Sequence, residues 1–433
     1  MTVPSVRNLP SELKHAAVWI ADRLSASGHR AWIVGGAVRD LALQREVRDV
    51  DVATAATPDE IEGAFGRTFA VGRSFGTVVV PIAADRAQVR PQMAVEVTTF
   101  RTEDSYGDGR RPDRVNFGAT LEEDASRRDF TCNALYLDPL TDELRDPEGG
   151  QTDLERGLLR TVGDATQRFD EDGLRLLRLA RFEAALGLQP APGLHRAARS
   201  AAQRLSSVSV ERILAELQRM LAAAHSLRAM TVLAECELLP GVFPGLAGPG
   251  ASSGPETAAG AAFDQQLAAH ARLPDPPGPT LGLASWLHTP SQEASARALR
   301  ALRPSRELLK GVEELWRHAP ELVELATSRA PRSSLIRALR APAFPAALEL
   351  ACAWHPALEG ELRSLAEQRA SFTHRDLHPE PWIVSADLRA AGIPPGPRYG
   401  ELLTEAETRQ LDGDWTSREQ ALRWLSGEQQ RRP

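Results

Sequence analysis

A chain of 433 residues exceeds what one hydrophobic core organises, and at roughly 100 to 200 residues per domain it divides into two to four compact units. Hydrophobic residues make up 42%, charged residues 25% and the formal net charge is -7, so this is an ordinary folded composition without the basic excess of a general nucleic-acid binder. No apolar run approaches the roughly 20 residues a membrane span needs, and the isolated Cys132, Cys236 and Cys352 argue against disulfides and a zinc site.

Of the 51 basic residues only Lys14 and Lys310 are lysines. Arginine stays charged and forks onto phosphate oxygens or base edges, so local arginine clusters can hold an anion despite the acidic balance. The opening segment carries Glu12 and no signal-type hydrophobic block, which predicts a cytoplasmic protein with no membrane partner. Ser11 follows a proline and opens a helix whose Leu13, Ala16, Ala17, Ile20 and Leu24 share one face.

Ala31-Trp32-Ile33-Val34 then reads as a buried strand, broken by Gly35-Gly36 where something must approach the backbone closely. A helix starting at about Ala37 offers unpaired N–H groups to an anion, and Arg39 adds a fork for phosphate. Asp49 and Asp51 alternate with Val50 and Val52, so a strand over 49–54 turns both carboxylates to one face. Two such groups repel unless a cation sits between them, and Mg²⁺ is the hard ion that fits. Phosphate binding and divalent metal together equip a nucleotidyl or phosphoryl transferase.

Thr57-Pro58-Asp59-Glu60 predicts a capped helix. Short strands follow over 69–71, 76–82 and 94–100, completing a small α+β head. Glu96, between Val95 and Val97, is either a third carboxylate facing Asp49 and Asp51 or the polar side of an edge strand. Residues 101–113 combine glycine, proline and charge without period and read as a mobile loop, placed where it can gate a site. In Arg127-Arg128-Asp129-Phe130-Thr131-Cys132-Asn133-Ala134, a helical turn brings Arg128, Asp129 and Asn133 to one site while Phe130 and Cys132 pack inward. A hairpin punctuated by Asp138-Pro139 and Asp146-Pro147 closes the head near residue 150.

Beyond it helix formers and arginine dominate. Residues 169–182 read as one helix with Asp172, Arg175 and Arg178 on a charged face and Leu174, Leu177 and Phe182 toward the other. Such stripes are commonly solvated, but this one has a sharper use. Cytosine and adenine both present an amino donor beside a ring-nitrogen acceptor, so a carboxylate next to a guanidinium complements C and A and leaves unpaired groups against G and U. Ser209 caps a further helix, and Arg332, Arg337 and Arg340 are available for phosphate contacts. His374-Arg375-Asp376-Leu377-His378 is superficially like a kinase catalytic loop or a metal motif, but it has no companion glycine loop or His/Asp cluster.

Taken in order, these motifs, together with Tyr106-Gly107-Asp108-Gly109-Arg110-Arg111 and Glu171-Asp172-Gly173-Leu174-Arg175, carry a resemblance. From roughly residue 31 to 219 the chain resembles the bacterial class II CCA-adding tRNA nucleotidyltransferase and poly(A) polymerase family of the polymerase-β superfamily. Residues 393–415 are similar to that family's tail. The resemblance implies a polymerase-β-like α+β head over 1–150, an all-α neck for base selection over 151–222, and an all-α body and tail over 223–433 that bind tRNA. It implies that Asp49 and Asp51 are catalytic and hold Mg²⁺, that Gly36 and Arg39 grip the triphosphate, and that Arg128 contacts phosphate or sugar. Asp129 and Asn133 would meet the ribose, and Asp172 and Arg175 would select the base with Arg178 and Arg181 nearby. The implied partners are the tRNA 3′ end, ATP and CTP, with no oligomeric state assigned. Enzymes adding only CC lack part of the loop that is intact here, so full CCA addition ranks first, A-only addition second and poly(A) synthesis third. The alternative from another class is a small-molecule phospho- or nucleotidyltransferase with a helical scaffold. Cys132 stands where the family leads one to expect an aliphatic residue.

Overall fold

The computed structural model describes residues 3–69, 73–82, 93–104, 114–243, 258–289 and 291–430. It contains two compact units, one of residues 1–260 with 301–303 and one of 261–300 with 304–433.

The first unit begins with α1 (Ser11–Ala26), whose Leu13, Ala16, Ala17, Ile20 and Leu24 are all buried as the spacing requires. Strand β1 (Ala31–Val34) is buried at every residue and leads into α2 (Gly36–Ala42). Strand β2 (Asp51–Thr54) follows, then α3 (Pro58–Phe65), whose Thr57 and Glu60 form the expected reciprocal cap. The next strands are β3 (Thr77–Pro81), β4 (Ala94–Thr99), β5 (Arg101–Asp104) and β6 (Arg114–Phe117). After α4 (Leu121–Ser126) come β7 (Tyr136–Leu137) and β8 (Leu144–Arg145).

Six of these strands form one mixed sheet in the order β3-β4-β2-β1-β7-β8. β1 is antiparallel to β2 and β7, whereas β2 and β4 are parallel. In the registers Val34 faces Asp51 and Asp51 faces Glu96, so Glu96 shares a sheet face with Asp51. The fold of the head is thus α+β, with Trp32, Val34, Ala53, Phe100 and Tyr136 in one core cluster.

Two local expectations need correction. β2 starts only at Asp51, because its partner β1 ends at Val34 where Gly35 turns away, and Asp49 therefore lies in the connection ahead of the strand. Residues 101–104, expected within a loop, pair as β5 with β6, since alternating Arg101, Thr102, Glu103 and Asp104 have a partner strand that the local composition does not announce. The remainder of that loop, 105–113, lies outside the described residues, as do residues 70–71 of the expected strand at 69–71, while Phe69 bridges Val79.

The rest of this unit is helical except for one short parallel pair that the expected all-α neck did not include: α5 (Gly150–Glu155) leads to β9 (Leu158–Leu159), which pairs with β10 (Gln189–Pro190), and α6 (Ala165–Glu171) and α7 (Leu174–Leu186) lie between them. The single helix expected over 169–182 is broken. Asp172 is extended at φ -143° and Gly173 restarts the chain, because a side chain at Gly173 would meet the Arg204 carbonyl at 2.5 Å. Then come α8 (Leu194–Ser200), α9 (Val210–Ala222) opened by Ser209, α10 (Ser226–Glu235) and α11 (Leu239–Val242). Helix α7 packs against α6, α9 and α10, which fixes the orientation of its arginines.

The second unit is helical throughout its described elements, with the longest helix spanning Arg306–Thr327. Arg337 and Arg340, expected to be available for phosphate, are instead tied to Glu407 at 2.8 and 2.6 Å. In the His374 motif, Asp376 caps a short helix by exchanging bonds with Thr373, and the two histidine rings stack 4.8 Å apart. All three cysteines are buried and unbridged. Among the described residues no helix is long and apolar enough to cross a membrane.

Candidate active site

Gly35 sits at φ +68°, a conformation that strains any L side chain, and so turns β1 sharply into α2. Beside this turn the first unit opens a cavity of about 880 Å³. All the residues named as site candidates from the sequence line it: Gly36, Arg39, Asp49, Asp51, Arg128, Asp129, Asn133, Asp172, Arg175, Arg178 and Arg181. Glu96 lines it too, which decides between the two readings of that residue in favour of the cavity.

One wall is acidic. Desolvation by the walls first, then the charges of Glu96 and Asp49, push the Asp51 carboxyl up to about 6, against an opposing pull from Arg128. Asp51 is nonetheless reachable by solvent from the open cavity. Carboxylate oxygens crowded at one wall are hard donors that suit a divalent cation, which would relieve their mutual repulsion. Among the described residues no three acidic, histidine or cysteine side chains form a ready-made metal cage. Magnesium does not require one, since it is commonly held by one or two carboxylates, water and substrate phosphates.

Opposite lies a continuous polar chain. Arg39 grips Asp40 through two bonds of 2.9 and 3.0 Å and donates to Asn133 Oδ1 at 2.8 Å. The Asn133 amide donates to Asp129 Oδ1 at 3.0 Å, and Asp129 Oδ2 accepts from Arg178 at 2.6 Å. Burial favours a neutral Asp129, but Arg178 and the bonds from Asn133 and the Phe130 N–H outweigh it and hold the carboxyl at about 2. The expected helical turn is present as a single 3-10 turn at Thr131–Asn133, and Cys132 is buried beneath it with its thiol pushed up to about 12 by burial. That buried thiol behaves as packing and not as a nucleophile.

The third wall comes from α6, α7 and α9. Asp172 accepts the Leu174 N–H at 2.9 Å and is held by Arg212 at 2.8 Å, while Arg175 donates to the carbonyls of Arg168 and Arg127 and to Glu171 at 2.5 Å. The two side chains therefore stand at one cavity on separate partners, and the residues are linked through the Arg175 backbone N–H, which donates to the Asp172 carbonyl at 3.0 Å. Leu174, expected on the far face, also lines the cavity, because the break at Gly173 rotates the start of α7. Phe182 carries Arg39, Arg178 and Arg181 over its ring at 5.3, 5.1 and 4.2 Å, so an aromatic plate spaces three like charges.

Sequence reasoning did not single out Glu216, Arg212 or Arg219 as site residues. Arg181 and Arg219 both bind Glu216, each at 2.7 Å, and Glu216 is 1% exposed. Its signal was available: a glutamate whose helical neighbours Ile213, Leu217 and Met220 are all apolar has to find a buried cation.

The sequence signature of the poly A polymerase head domain matches residues 31–160, and that described as the probable RNA and SrmB-binding site of polymerase A matches 187–248. The CCA-adding enzyme of Geobacillus thermodenitrificans is 45% identical over 229 residues, covering 52% of this chain and 54% of that one. The CCA-adding enzyme of Streptococcus sanguinis is 42% identical over 238 residues, covering 54% and 57%. These matches span about half the length of the curated relatives. In solved structures the likeness is longer: the Bacillus stearothermophilus CCA-adding enzyme in complex with CTP aligns with a TM-score of 0.72 over 98% of both chains at 29% identity. The Thermotoga maritima CCA-adding enzyme complexed with tRNA_CCA shares the fold, with a TM-score of 0.67 over 99% of this chain and 100% of that one at 19% identity. The head and RNA-binding signatures thus lie in order along residues 31–248, and the chain is similar in fold, from end to end, to solved CCA-adding enzymes.

Proposed function

We propose that this protein adds CCA, from CTP and ATP, to the 3′ end of tRNA without a nucleic-acid template, releasing pyrophosphate. The observation that carries this reading is the opening of the acidic wall and the Asp172–Arg175 turn onto one cavity. Residues 1–150 act as the catalytic head, 151–222 as the base-selecting neck and 223–433 as the tRNA-binding body and tail, in the cytoplasm.

In this mechanism Asp49 and Asp51 would hold Mg²⁺. When bound, that ion lowers the pKa of the RNA 3′-hydroxyl and neutralises charge on the phosphates. Gly36 leaves space beside the Arg39 guanidinium, whose N–H groups not taken by Asp40 and Asn133 meet the triphosphate, and Arg128 contacts phosphate or sugar. Asp129 and Asn133, locked to Arg178 and Arg39, present a rigid polar edge to the ribose. Asp172 offers acceptor oxygens and Arg175 its remaining N–H donors to the pairing edge of the base. Arg178 and Arg181, spaced by Phe182, supply positive potential around the nucleotide.

The test uses tRNA transcripts ending before CCA, after C and after CC, each with labelled CTP or ATP. Incorporation on all three is the expected result. Use of ATP on the last transcript alone identifies A-only addition, long adenylate tails identify poly(A) synthesis, and no extension of any transcript refutes RNA as the substrate and favours a small-molecule acceptor.

A further inference from the structure

We infer that Asp124 and Tyr136, neither of which touches the nucleotide site, are positioning residues that hold Arg128 toward the substrate and away from the protein's own acidic wall. The inference rests on the nucleotidyl transfer proposed above. Both residues are 0% exposed. Asp124 Oδ2 accepts the Tyr136 hydroxyl at 2.7 Å and an Arg128 N–H at 3.0 Å. The Tyr136 oxygen in turn accepts the Arg128 Nε–H at 2.8 Å, and the guanidinium lies over the tyrosine ring at 4.9 Å. A third N–H of Arg128 goes to the Asn133 carbonyl at 3.2 Å.

These contacts fix the guanidinium in plane and tilt, and of the five N–H groups an arginine carries they leave two for a ligand. One terminal nitrogen lies 3.7 Å from where a Gly35 side chain would begin, at the turn flanking the acidic wall. Arg128 lines the same cavity as Asp49, Asp51 and Glu96. An unrestrained arginine beside three carboxylates would swing onto them, neutralising the cation site and hiding its donors from phosphate. Asp124 and Tyr136 counter this from the opposite side with a buried anion and a hydroxyl, held by α4 and β7 before substrate arrives. Asp124 Oδ1 also binds Arg127 at 2.6 Å, and the Arg127 carbonyl accepts Arg175 at 2.9 Å. One buried carboxylate thereby links the phosphate side of the cavity to the base-reading side.

Tyr136→Phe keeps the ring in its core cluster and removes only the hydroxyl, so it serves if Asp124→Asn fails to fold. With CC-ended tRNA and ATP, kcat/KM is expected to fall on the order of tenfold to a hundredfold in Tyr136→Phe. In an Arg128→Ala background the same change is expected to cost less than about threefold, since the group it positions is gone. Equal losses in both backgrounds, or a single-variant loss under about twofold, would overturn the inference. Calorimetric binding of CTP without RNA to wild type, both single variants and the double variant must show the same non-additivity. A wild type that binds CTP but extends no RNA removes the proposed function and leaves positioning to be judged on binding, and one that does neither removes both.

Discussion

Replacing Asp129 with asparagine isolates the charge at the centre of the polar chain while preserving its shape. Asp129 is 9% exposed and accepts from the Phe130 N–H, the Asn133 amide and Arg178 at 2.8, 3.0 and 2.6 Å. Its carboxyl stands at about 2 against an ordinary 3.8, which at about 1.4 kcal/mol per pH unit corresponds to roughly 2 kcal/mol of native-state stability. Breaking a fully buried ion pair costs about 3–5 kcal/mol, but asparagine keeps one acceptor oxygen and the Arg178 side chain is 31% exposed, so the lower figure governs. The variant should therefore lose about 2–3 kcal/mol at pH 7, or roughly 4–12 °C in Tm for a unit of this size. The sign of the pH effect follows from a folded pKa below the unfolded one. The wild-type advantage is complete above the unfolded value and shrinks as pH falls from 3.8 toward 2. Urea unfolding of both proteins across pH 7 to pH 3 measures this directly. A loss below about 0.5 kcal/mol at pH 7, or a gap that stays constant to the acid limit, would refute the assignment of that charge to Arg178 and Asn133.

Three further outcomes follow from the same structure. Gly173→Ala should destabilise by about 1–3 kcal/mol in thermal unfolding, since the added methyl meets the Arg204 carbonyl at 2.5 Å and Val208 at 3.1 Å, and an unchanged Tm would contradict the packing at that break. Asp172→Ala should relax the preference for C and A over G and U more than it weakens metal binding, and nucleotide competition showing unchanged selectivity would remove Asp172 from base choice. His270, 2% exposed and 5.7 Å from the Trp286 ring, is held neutral by burial with its pKa lowered to about 4. The folded state therefore binds fewer protons than the unfolded one between 6.5 and 4, and stability should fall by roughly 3 kcal/mol in all as pH drops from 6.5 to 4, a slope that His270→Gln should lose in pH-dependent unfolding.

Much of the site is legible in the chain because its signals are local. The pair Gly35-Gly36 marks a turn that needs φ +68°, Thr57 and Glu60 mark a cap, and the alternation around Glu96 assigns it a face once its strand is recognised. The order Arg128, Asp129, Asn133 likewise anticipates a single turn, which the chain forms. The break at Gly173 was hidden, because nothing near residue 173 in sequence announces the Arg204 carbonyl that excludes a side chain there. For the same reason the charged stripe of 172, 175 and 178 looked like one helical face, although Asp172 belongs to the turn and answers to Arg212 on α9. Arg337 and Arg340 looked free until Glu407, far along the chain, was brought beside them.

Residue type and short-range spacing alone set β1, the cap of α3, the turn at Gly35, and the clustering of arginine that an acidic total charge conceals, because backbone sterics and helical or strand periodicity act within a few residues. Which carboxylate holds which guanidinium was decided only by tertiary packing. Arginine is long and uniformly charged, so any of the chain's arginines suits any acid, and only the sheet register and the packing of α6, α7 and α9 bring particular pairs within hydrogen-bond reach.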